Sequence, residues 1–253
     1  MADQTVIAFE PYGPAETGMQ VWDPVPEEEL VSSGPVQRGH EYFATAASAL
    51  TAGVWDCTPM EMVMMPYPVN EFMIVLDGTI EIIDPDGNVD AFSAGDAFIL
   101  PKGTPCRWRQ PEYVRKYYVI FDDPSGRLAS DPDKLRAIRV DLSAELPSMG
   151  AQDASLFQQA PSAMNLLPLF TDVTSQFTVG VWDCAPMHRK PDKIARSELM
   201  HILEGAGSIT NADGELFSFR AGDTFMVPIG MGYEWQNTAY VKKIFCSFTP
   251  SSD

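Results

Sequence analysis

The feature that most constrains this chain is an internal repeat. The segment Gly53-Val-Trp-Asp-Cys57 recurs as Gly180-Val-Trp-Asp-Cys184, 127 residues later. The same offset, without a gap, aligns further identical residues: Pro59/Pro186, Glu71/Glu198, Gly78/Gly205, Gly95/Gly222, Pro101/Pro228, Trp108/Trp235 and Lys116/Lys243. A self-match held at one period over about 70 residues indicates a duplicated structural unit. The sequence therefore predicts two copies of one domain, with boundaries at 1–125 and 126–253.

Each copy has the pattern of an all-β domain. In copy one, an apolar run at 71–77 is followed by a second run and the turn Asp84-Pro-Asp-Gly87. Copy two repeats this arrangement with a run at 199–204 and the turn Asn211-Ala-Asp-Gly214. Many short strands separated by Gly and Pro turns are typical of a β-sandwich or barrel. The candidate helix, 132–139, lies in the linker between the copies.

The charge balance excludes several classes of partner. The chain has 35 Asp and Glu against 17 Lys and Arg, which gives a net charge of −18. Because such a chain repels phosphate backbones and anionic lipids, we expect neither nucleic acid nor membrane as a partner. No apolar run reaches the roughly 18 residues of a membrane span, and no signal-peptide pattern is present, so we expect a cytoplasmic protein. The four cysteines form no CxxC pair and are expected to be reduced, buried thiols.

The repeated blocks resemble the cupin superfamily. The segments Glu71–Gly78 and Gly95–Gly103, with their counterparts in copy two, are similar to those of ethanolamine-utilisation cupins and of the cupin domains of ureidoglycine aminohydrolase. The resemblance spans residues 43–122 and 170–249. It implies a bicupin, with two tandem double-stranded β-helix (jelly-roll) barrels packed as an internal dimer, and it leaves homo-oligomer formation open. The N-terminal arm and the linker are not explained by it.

The metal ligands that this resemblance would lend are mostly missing. Metal-binding cupins use paired histidines, a glutamate and a further histidine from a second motif. The paired-histidine positions fall within 63–66 and 191–194, where no histidine occurs. The remaining motif positions are Glu71 and Cys106 in copy one, and Glu198 and Tyr233 in copy two. Because a single carboxylate per copy does not hold a transition metal, we expect no metal and no other cofactor.

Glu71 and Glu198 need partners whatever the protein does. A carboxylate facing a barrel interior is costly unless it is paired or protonated. Lys116 and Lys243 occupy matching positions in the final strand of each copy and are the natural partners. Such pairs would be structural, whereas an unpaired, protonated glutamate would favour catalysis.

The two copies differ in polarity near the predicted barrel mouths. Copy two carries four cations, Arg189, Lys190, Lys193 and Arg196, where copy one has a Met-rich segment. A local positive field in an acidic chain would attract a carboxylate or phosphate ligand. The alternative is a solvated loop without a ligand. Copy two is therefore the better candidate for an anion site.

Three other side chains allow two interpretations each. If strand alternation continues past Trp182, His188 would face inward and meet Glu198 and Tyr233 as a general base; otherwise it is an exposed strand-end residue. His201 is predicted to point away from Glu198. Cys106 is either a nucleophile, activated by flanking arginines, or a buried inert thiol. Together with Met62 and Met64 it could also form a soft Cu(I) site, or these methionines could simply be core.

Three functional hypotheses follow. The leading one is a bicupin that binds a small polar or anionic metabolite without a transition metal. The second is an aminohydrolase-like or isomerase-like enzyme acting on a ureide, amino-acid or sugar-derived substrate, and the third is a structural or partner-binding module with filled barrels. The predicted ligand-binding residues are Glu198, Tyr233, His188 and Arg196 in copy two, and Glu71 and Cys106 in copy one. Catalytic residues are left unassigned.

Overall fold

Almost all of the regular secondary structure of the protein is β-strand. The computed structural model describes residues 5–31, 33–45 and 49–251. Its helical segments are short 3-10 turns at Glu27–Glu29, Pro132–Lys134 and Ala154–Leu156. No helix within the described residues has the length and apolar character to cross a membrane. The predicted all-β fold is confirmed.

The chain forms two compact units, here called barrel one and barrel two. Barrel one contains residues 9–140 and 172–174, and barrel two contains residues 5–8, 141–171 and 175–251. The first strand of the described chain, β1 (Ile7–Ala8), is therefore part of barrel two.

Barrel one is made of two antiparallel sheets. Its strands are β2 (Gln20–Val21), β3 (Gln37–Ala44), β4 (Leu50–Cys57), β5 (Met60–Glu61), β6 (Met65–Pro66), β7 (Asn70–Asp77), β8 (Thr79–Ile83), β9 (Val89–Ser93), β10 (Ala97–Leu100), β11 (Pro105–Gln110), β12 (Val114–Phe121) and β13 (Ile138–Arg139). The larger sheet has the order β13-β10-β7-β12-β4-β3-β2. The smaller has the order β5-β11-β8-β9, with β6 also pairing β11.

Barrel two repeats this arrangement. Its remaining strands are β14 (Phe157–Gln159), β15 (Met164–Thr171), β16 (Phe177–Cys184), β17 (Met187–Arg189), β18 (Asp192–Lys193), β19 (Ser197–Glu204), β20 (Ala206–Thr210), β21 (Leu216–Arg220), β22 (Thr224–Val227), β23 (Gly232–Asn237) and β24 (Val241–Phe248). The larger sheet has the order β1-β22-β19-β24-β16-β15. The smaller has the order β14-β17-β23-β20-β21, with β18 also pairing β23.

The division of the chain differs from the predicted boundary between residues 125 and 126 at residues 5–8, 126–140 and 172–174, and strands account for the first two. Strand β1 pairs with β22 of barrel two, although it precedes copy one in the sequence. Strand β13 lies beyond residue 126 and pairs with β10 of barrel one. Backbone hydrogen bonds to an otherwise open strand edge explain both assignments, since each short strand extends a sheet that would end there.

The repeat extends further than sequence identity shows. The 3-10 turns Glu27–Glu29 and Ala154–Leu156 lie at the same offset of 127 residues, and so do strands β3 and β15. The N-terminal arm and the linker, which the sequence left unexplained, therefore contribute equivalent elements to the two barrels. Their residue types differ because these elements need only matching backbone hydrogen bonds.

The prediction of a helix at 132–139 is wrong. Only Pro132–Lys134 forms a single 3-10 turn, and Ile138–Arg139 is strand β13. Pairing with β10 holds this segment in an extended conformation, and tertiary context overrides the weak local preference for helix.

The two motif glycines have a structural explanation. Gly78 and Gly205 have φ of 76° and 84°, a region that L side chains rarely adopt. A Cβ atom would lie 2.0 Å from the Tyr113 carbonyl oxygen at Gly78, and 2.1 Å from that of Tyr240 at Gly205. Close backbone approach after strands β7 and β19 therefore requires glycine in both copies.

Candidate functional site

Barrel two encloses a cavity of about 560 Å³. Alternation along its strands aims Glu198 and Met200 from β19, Lys243 and Phe245 from β24, and Trp182 from β16 into this space. The volume falls within the roughly 300–1,000 Å³ that is usual for small-molecule sites. The cavity argues against the hypothesis of a module with two filled barrels.

Glu198 is buried at this cavity and is held by two cations. The Lys243 ammonium donates to Oε1 at 2.6 Å, and Arg196 Nε donates to Oε2 at 2.5 Å. Burial alone would raise the pKa of Glu198, but the charges of Lys243 and Arg196 outweigh it and lower the pKa. The carboxylate is therefore ionised. The predicted Glu198–Lys243 pair is confirmed.

Aromatic rings complete the surroundings of Lys243. Its ammonium lies 4.9 Å from the ring centroid of Trp182 and 5.2 Å from that of Trp235. The indole N–H of Trp235 donates to Asn237 Oδ1 at 2.8 Å, which fixes the orientation of the ring. Burial lowers the pKa of Lys243, while Glu198 and the ring faces favour its charged form.

The cavity wall is net cationic. Its charged side chains are the cations Arg189, Lys193, Arg196 and Lys243 and the carboxylates Asp192 and Glu198. Arg189 Nη2 lies 3.7 Å from Asp192 Oδ2. The Nε of Arg189 is buried and has no hydrogen-bond partner in the described part of the chain. A buried donor without a partner is destabilising, by about 1–3 kcal/mol. The Arg189 side chain as a whole lines the cavity and is 34% exposed, so its guanidinium is a candidate contact for an anion.

Tyr233 is a second available donor on the same wall. It lines the cavity, and its hydroxyl makes no hydrogen bond to the residues that the structure describes. Burial raises its pKa, so the hydroxyl stays protonated and can donate. The structure thus places two of the predicted ligand-binding residues of copy two, Tyr233 and Arg196, together with Glu198.

The four-cation stretch divides between cavity and surface. Arg189, Lys193 and Arg196 line the cavity, whereas Lys190 turns away and donates to the Ser155 carbonyl oxygen at 2.8 Å. The sequence alone could not separate Lys190 from its neighbours, because the separation depends on where the short strands β17 and β18 begin.

The prediction that His188 faces the cavity is wrong. Met187 and Arg189 line the cavity, and His188 lies between them on the opposite face of β17. There His188 Nε2 contacts Glu234 Oε1 at 2.7 Å. The alternation predicted from Trp182 fails because the chain leaves β16 at Cys184 and enters a different sheet at Met187.

In the corresponding pair of barrel one, the acidic residue lies on the other strand. Glu61 and Arg107 occupy the positions of His188 and Glu234, and their side chains lie 3.0 Å apart. Both positions therefore form a cross-strand pair, because an acidic residue on either strand can face a basic side chain on the other. This reversal is visible in the sequence at the 127-residue offset and would have identified His188 as a pairing residue.

Barrel one has a smaller cavity of about 230 Å³. Glu71 accepts a hydrogen bond from Lys116 at 2.7 Å and another from the Tyr67 hydroxyl. The Lys116 ammonium lies 4.9 Å from the ring centroid of Trp55 and 4.7 Å from that of Trp108. The Glu71–Lys116 pair is confirmed, with a tyrosine hydroxyl where barrel two uses arginine.

Cys106 lines the cavity of barrel one as a buried thiol. Burial raises its pKa to about 11, so the nucleophilic thiolate is scarce at neutral pH. The flanking arginines do not lower it, because Arg107 and Arg109 pair with Glu61 and Glu81. The structure supports the inert-thiol interpretation of Cys106.

All four cysteines are expected to be unreactive in the folded protein. Each is buried, and burial raises the pKa of Cys57, Cys106 and Cys184 to about 12, 11 and 12, respectively. We expect a colorimetric aromatic disulfide reagent at pH 8 to label the native protein slowly, and all four thiols rapidly in urea. Fast native labelling of one thiol, located by mass spectrometry, would contradict this expectation.

His201 lies away from the cavity, as predicted. Its Nδ1 lies 2.8 Å from Thr224 Oγ1, and burial lowers its pKa to about 4, against a smaller raising effect of Asp223. Between pH 6.5 and pH 4 the unfolded chain then binds more protons, so stability falls as pH falls through this window.

The lowered pKa of His201 predicts that the stability of the protein depends on pH, and that this dependence is weaker in His201→Gln. When the pH is lowered from 7.5 to 5, the unfolding free energy of the wild type should fall by at most about 2 kcal/mol because of His201. Urea unfolding of both proteins at the two pH values measures the difference. An equal loss in wild type and His201→Gln would show that His201 does not titrate in this way.

The residues present do not fit a transition metal. The described residues contain no group of three or more His, Cys, Asp or Glu side chains arranged to hold one. Cations occupy the surroundings of both motif glutamates, with Lys116 beside Glu71 and Lys243 and Arg196 beside Glu198. These cations compensate the negative charge of the carboxylates, as a bound metal ion would, and they would repel a metal ion.

The linker supplies part of the cavity wall that the sequence did not reveal. The linker residues that line the cavity of barrel two include Met149, Gln152, Leu156 and Phe157. Phe157 begins strand β14, which pairs with β17. No motif marks them, because the linker matches the N-terminal arm in backbone position but not in residue type.

Comparison with known proteins agrees with this architecture. The model of the EutQ-like cupin domain matches residues 44–118 and 171–245. No curated protein matches the chain.

Solved structures share the fold over most of the chain. A protein of unknown function from Pseudomonas syringae pv. tomato is 22% identical, with a TM-score of 0.76 over 97% of this chain and 100% of its own. A cupin 2 conserved barrel domain protein from Leptotrichia buccalis is 12% identical, with a TM-score of 0.56 over 91% and 98%. YlbA from E. coli is 11% identical, with a TM-score of 0.52 over 99% and 93%. At these identities the similarity concerns the fold alone.

Proposed function

We propose that this chain, which belongs to the EutQ-like cupin domain family, binds a small anionic metabolite in the cavity of barrel two without a transition metal. The ligand class is a carboxylate of a few carbon atoms. Arg189 and Lys193 would bind the anion, Tyr233 would donate a hydrogen bond, and Arg196 would bridge the ligand and Glu198.

The observation that carries this proposal is the excess of cations on the cavity wall, where Arg189, Lys193, Arg196 and Lys243 accompany only two carboxylates, Asp192 and Glu198. A guanidinium binds carboxylates through paired, charge-assisted hydrogen bonds, and Arg189 is held by a long contact of 3.7 Å to the exposed Asp192. The surrounding charge supports an anion, since four cations face two carboxylates in a chain with a net charge of −18.

The enzyme hypothesis has weaker support. Catalysis by Glu198 would need a carboxyl group that can take up and release a proton near neutral pH. The Lys243 and Arg196 charges instead lower its pKa, and both of its oxygens are engaged. Glu198 is better suited to holding Arg196 and Lys243 in place.

Calorimetric titration with a panel of small anions tests the proposal. The probes are acetate, succinate, glutarate and inorganic phosphate, with the neutral diamide of succinate as the matched control. We expect saturable binding of at least one carboxylate that weakens with added salt, and no binding of the diamide. Absence of binding across the panel, or equal binding of succinate and its diamide, would reject the proposal.

Three further expectations accompany the proposal. We propose that the protein uses no cofactor, that its partner is the small anion and not nucleic acid or membrane, and that the two barrels form an internal dimer. Elemental analysis of the purified protein tests the first point. A stoichiometric first-row metal would contradict it and would favour the enzyme hypothesis.

A further inference from the structure

The cavity of barrel one has a different chemical character from that of barrel two. Its wall is formed mainly by the indoles of Trp55 and Trp108 and the side chains of Met60, Met62 and Met65. The charged side chains on this wall are Lys116 and the half-buried Glu29. Barrel one therefore offers an apolar space that is open to a ligand.

The polar groups around this cavity are already satisfied. The Lys116 ammonium contacts Glu71 Oε1 at 2.7 Å and Met73 Sδ at 3.1 Å, and the faces of both indoles cover it. The Tyr67 hydroxyl donates to Glu71. An anion entering here would lose its water without gaining a free cation, and Glu29 would repel it.

Three substitutions between the copies make the wall of barrel one less polar, whereas Glu29 in place of Leu156 and Tyr67 in place of Ile194 act in the opposite direction. At the 127-residue offset, Met62 stands where barrel two has Arg189, Met65 where it has Asp192, and Cys106 where it has Tyr233. Each replacement removes a polar group from the cavity wall. Replacing tyrosine by cysteine also removes a ring and leaves room in the barrel.

Apolar cavities of this size bind small apolar molecules. An apolar cavity of about 150 Å³ stays dry and takes up benzene. Methionine thioethers adapt to the shape of a ligand and make favourable contacts with aromatic rings. Indole faces add offset or edge-to-face contacts to the same kind of ring.

We propose that barrel one contains a second binding site, for a small neutral aromatic molecule with a single ring. This site is independent of the anion site proposed for barrel two. The protein would then bind two ligands of different classes, an aromatic one between the indoles and methionines of barrel one and an anion in barrel two.

Fluorine NMR with fluorobenzene as the probe tests this site directly. We expect saturable binding to the wild type. Cys106→Tyr, which introduces the residue of barrel two, should weaken binding at least tenfold by filling the cavity. Met62→Arg should also weaken it at least tenfold, because it places a charge on the half-buried wall. Arg189→Met is the matched control in barrel two and should leave fluorobenzene binding unchanged.

The ligand class is tested with benzoate in the Arg189→Met background, where binding to the proposed anion site is weakened. Benzoate should bind at least tenfold more weakly than fluorobenzene. Circular dichroism establishes that each variant is folded, and Met62→Arg decides the question if Cys106→Tyr does not fold. No saturable fluorobenzene binding, binding unaffected by the folded variants, or equal affinity for benzoate would overturn the proposal. Loss of succinate binding alone would leave this site standing and reject only the anion site.

Discussion

Lys116→Met is expected to destabilise barrel one by about 3–5 kcal/mol, the cost of leaving one partner of a buried ion pair uncompensated. Glu71 is 3% exposed, and its other partner is the neutral Tyr67 hydroxyl. Loss of the Lys116 ammonium therefore leaves the carboxylate buried without a cation. Urea unfolding, followed by tryptophan fluorescence, measures the change because Trp55 and Trp108 flank the lysine.

Barrel two provides the matched comparison. Lys243→Met removes the equivalent ammonium, but Arg196 remains 2.5 Å from Glu198 and keeps the carboxylate paired. We expect a smaller loss of stability than for Lys116→Met. The double variant Glu71→Gln/Lys116→Met should recover most of the loss, since it removes both charges together. Equal losses in the two barrels, or no recovery in the double variant, would contradict the pairing scheme.

Arg189→Met is expected to weaken carboxylate binding by about 10- to 100-fold, the loss that follows from removing a charged hydrogen bond worth about 1.5–3 kcal/mol. The variant should keep the stability of the wild type. The substitution removes an unsatisfied buried donor, Arg189 Nε, and loses only a long, exposed contact of 3.7 Å with Asp192, so the two small effects oppose each other. Calorimetric titration with the best-binding carboxylate measures the first effect, and urea unfolding the second.

Lys190→Gln is the control for this prediction. It removes one charge from the same stretch, but Lys190 contacts the Ser155 carbonyl oxygen and does not line the cavity. We expect anion affinity to change little. If Lys190→Gln and Arg189→Met weakened binding equally, the effect would reflect the net charge of the region and not a site on the cavity wall.

The fold and the two buried ion pairs could be predicted because they depend on patterns that span the repeat. Gly78 and Gly205 are required by close backbone contacts, and Glu71 and Glu198 each need a cation inside a barrel. Such requirements leave the same residue at the same offset in both copies. Strand alternation then places the matching lysine beside each glutamate.

The orientation of side chains near the barrel mouth could not be predicted in the same way. His188 and Arg189 lie on opposite faces of a three-residue strand, which begins after a change of sheet. Alternation does not carry across such a break. Leu156 and Phe157 could not be predicted as cavity residues for another reason. Their segment lies far from β17 in the sequence and pairs with it through backbone groups that every residue has.

The most direct test of the central claim is a crystal structure of the protein with the carboxylate that binds best in the titrations. We predict that the carboxylate of the ligand lies in the cavity of barrel two, within about 3.2 Å of a guanidinium nitrogen of Arg189, with the Glu198–Lys243 pair intact. A ligand bound elsewhere, or a metal ion coordinated beside Glu198, would contradict it.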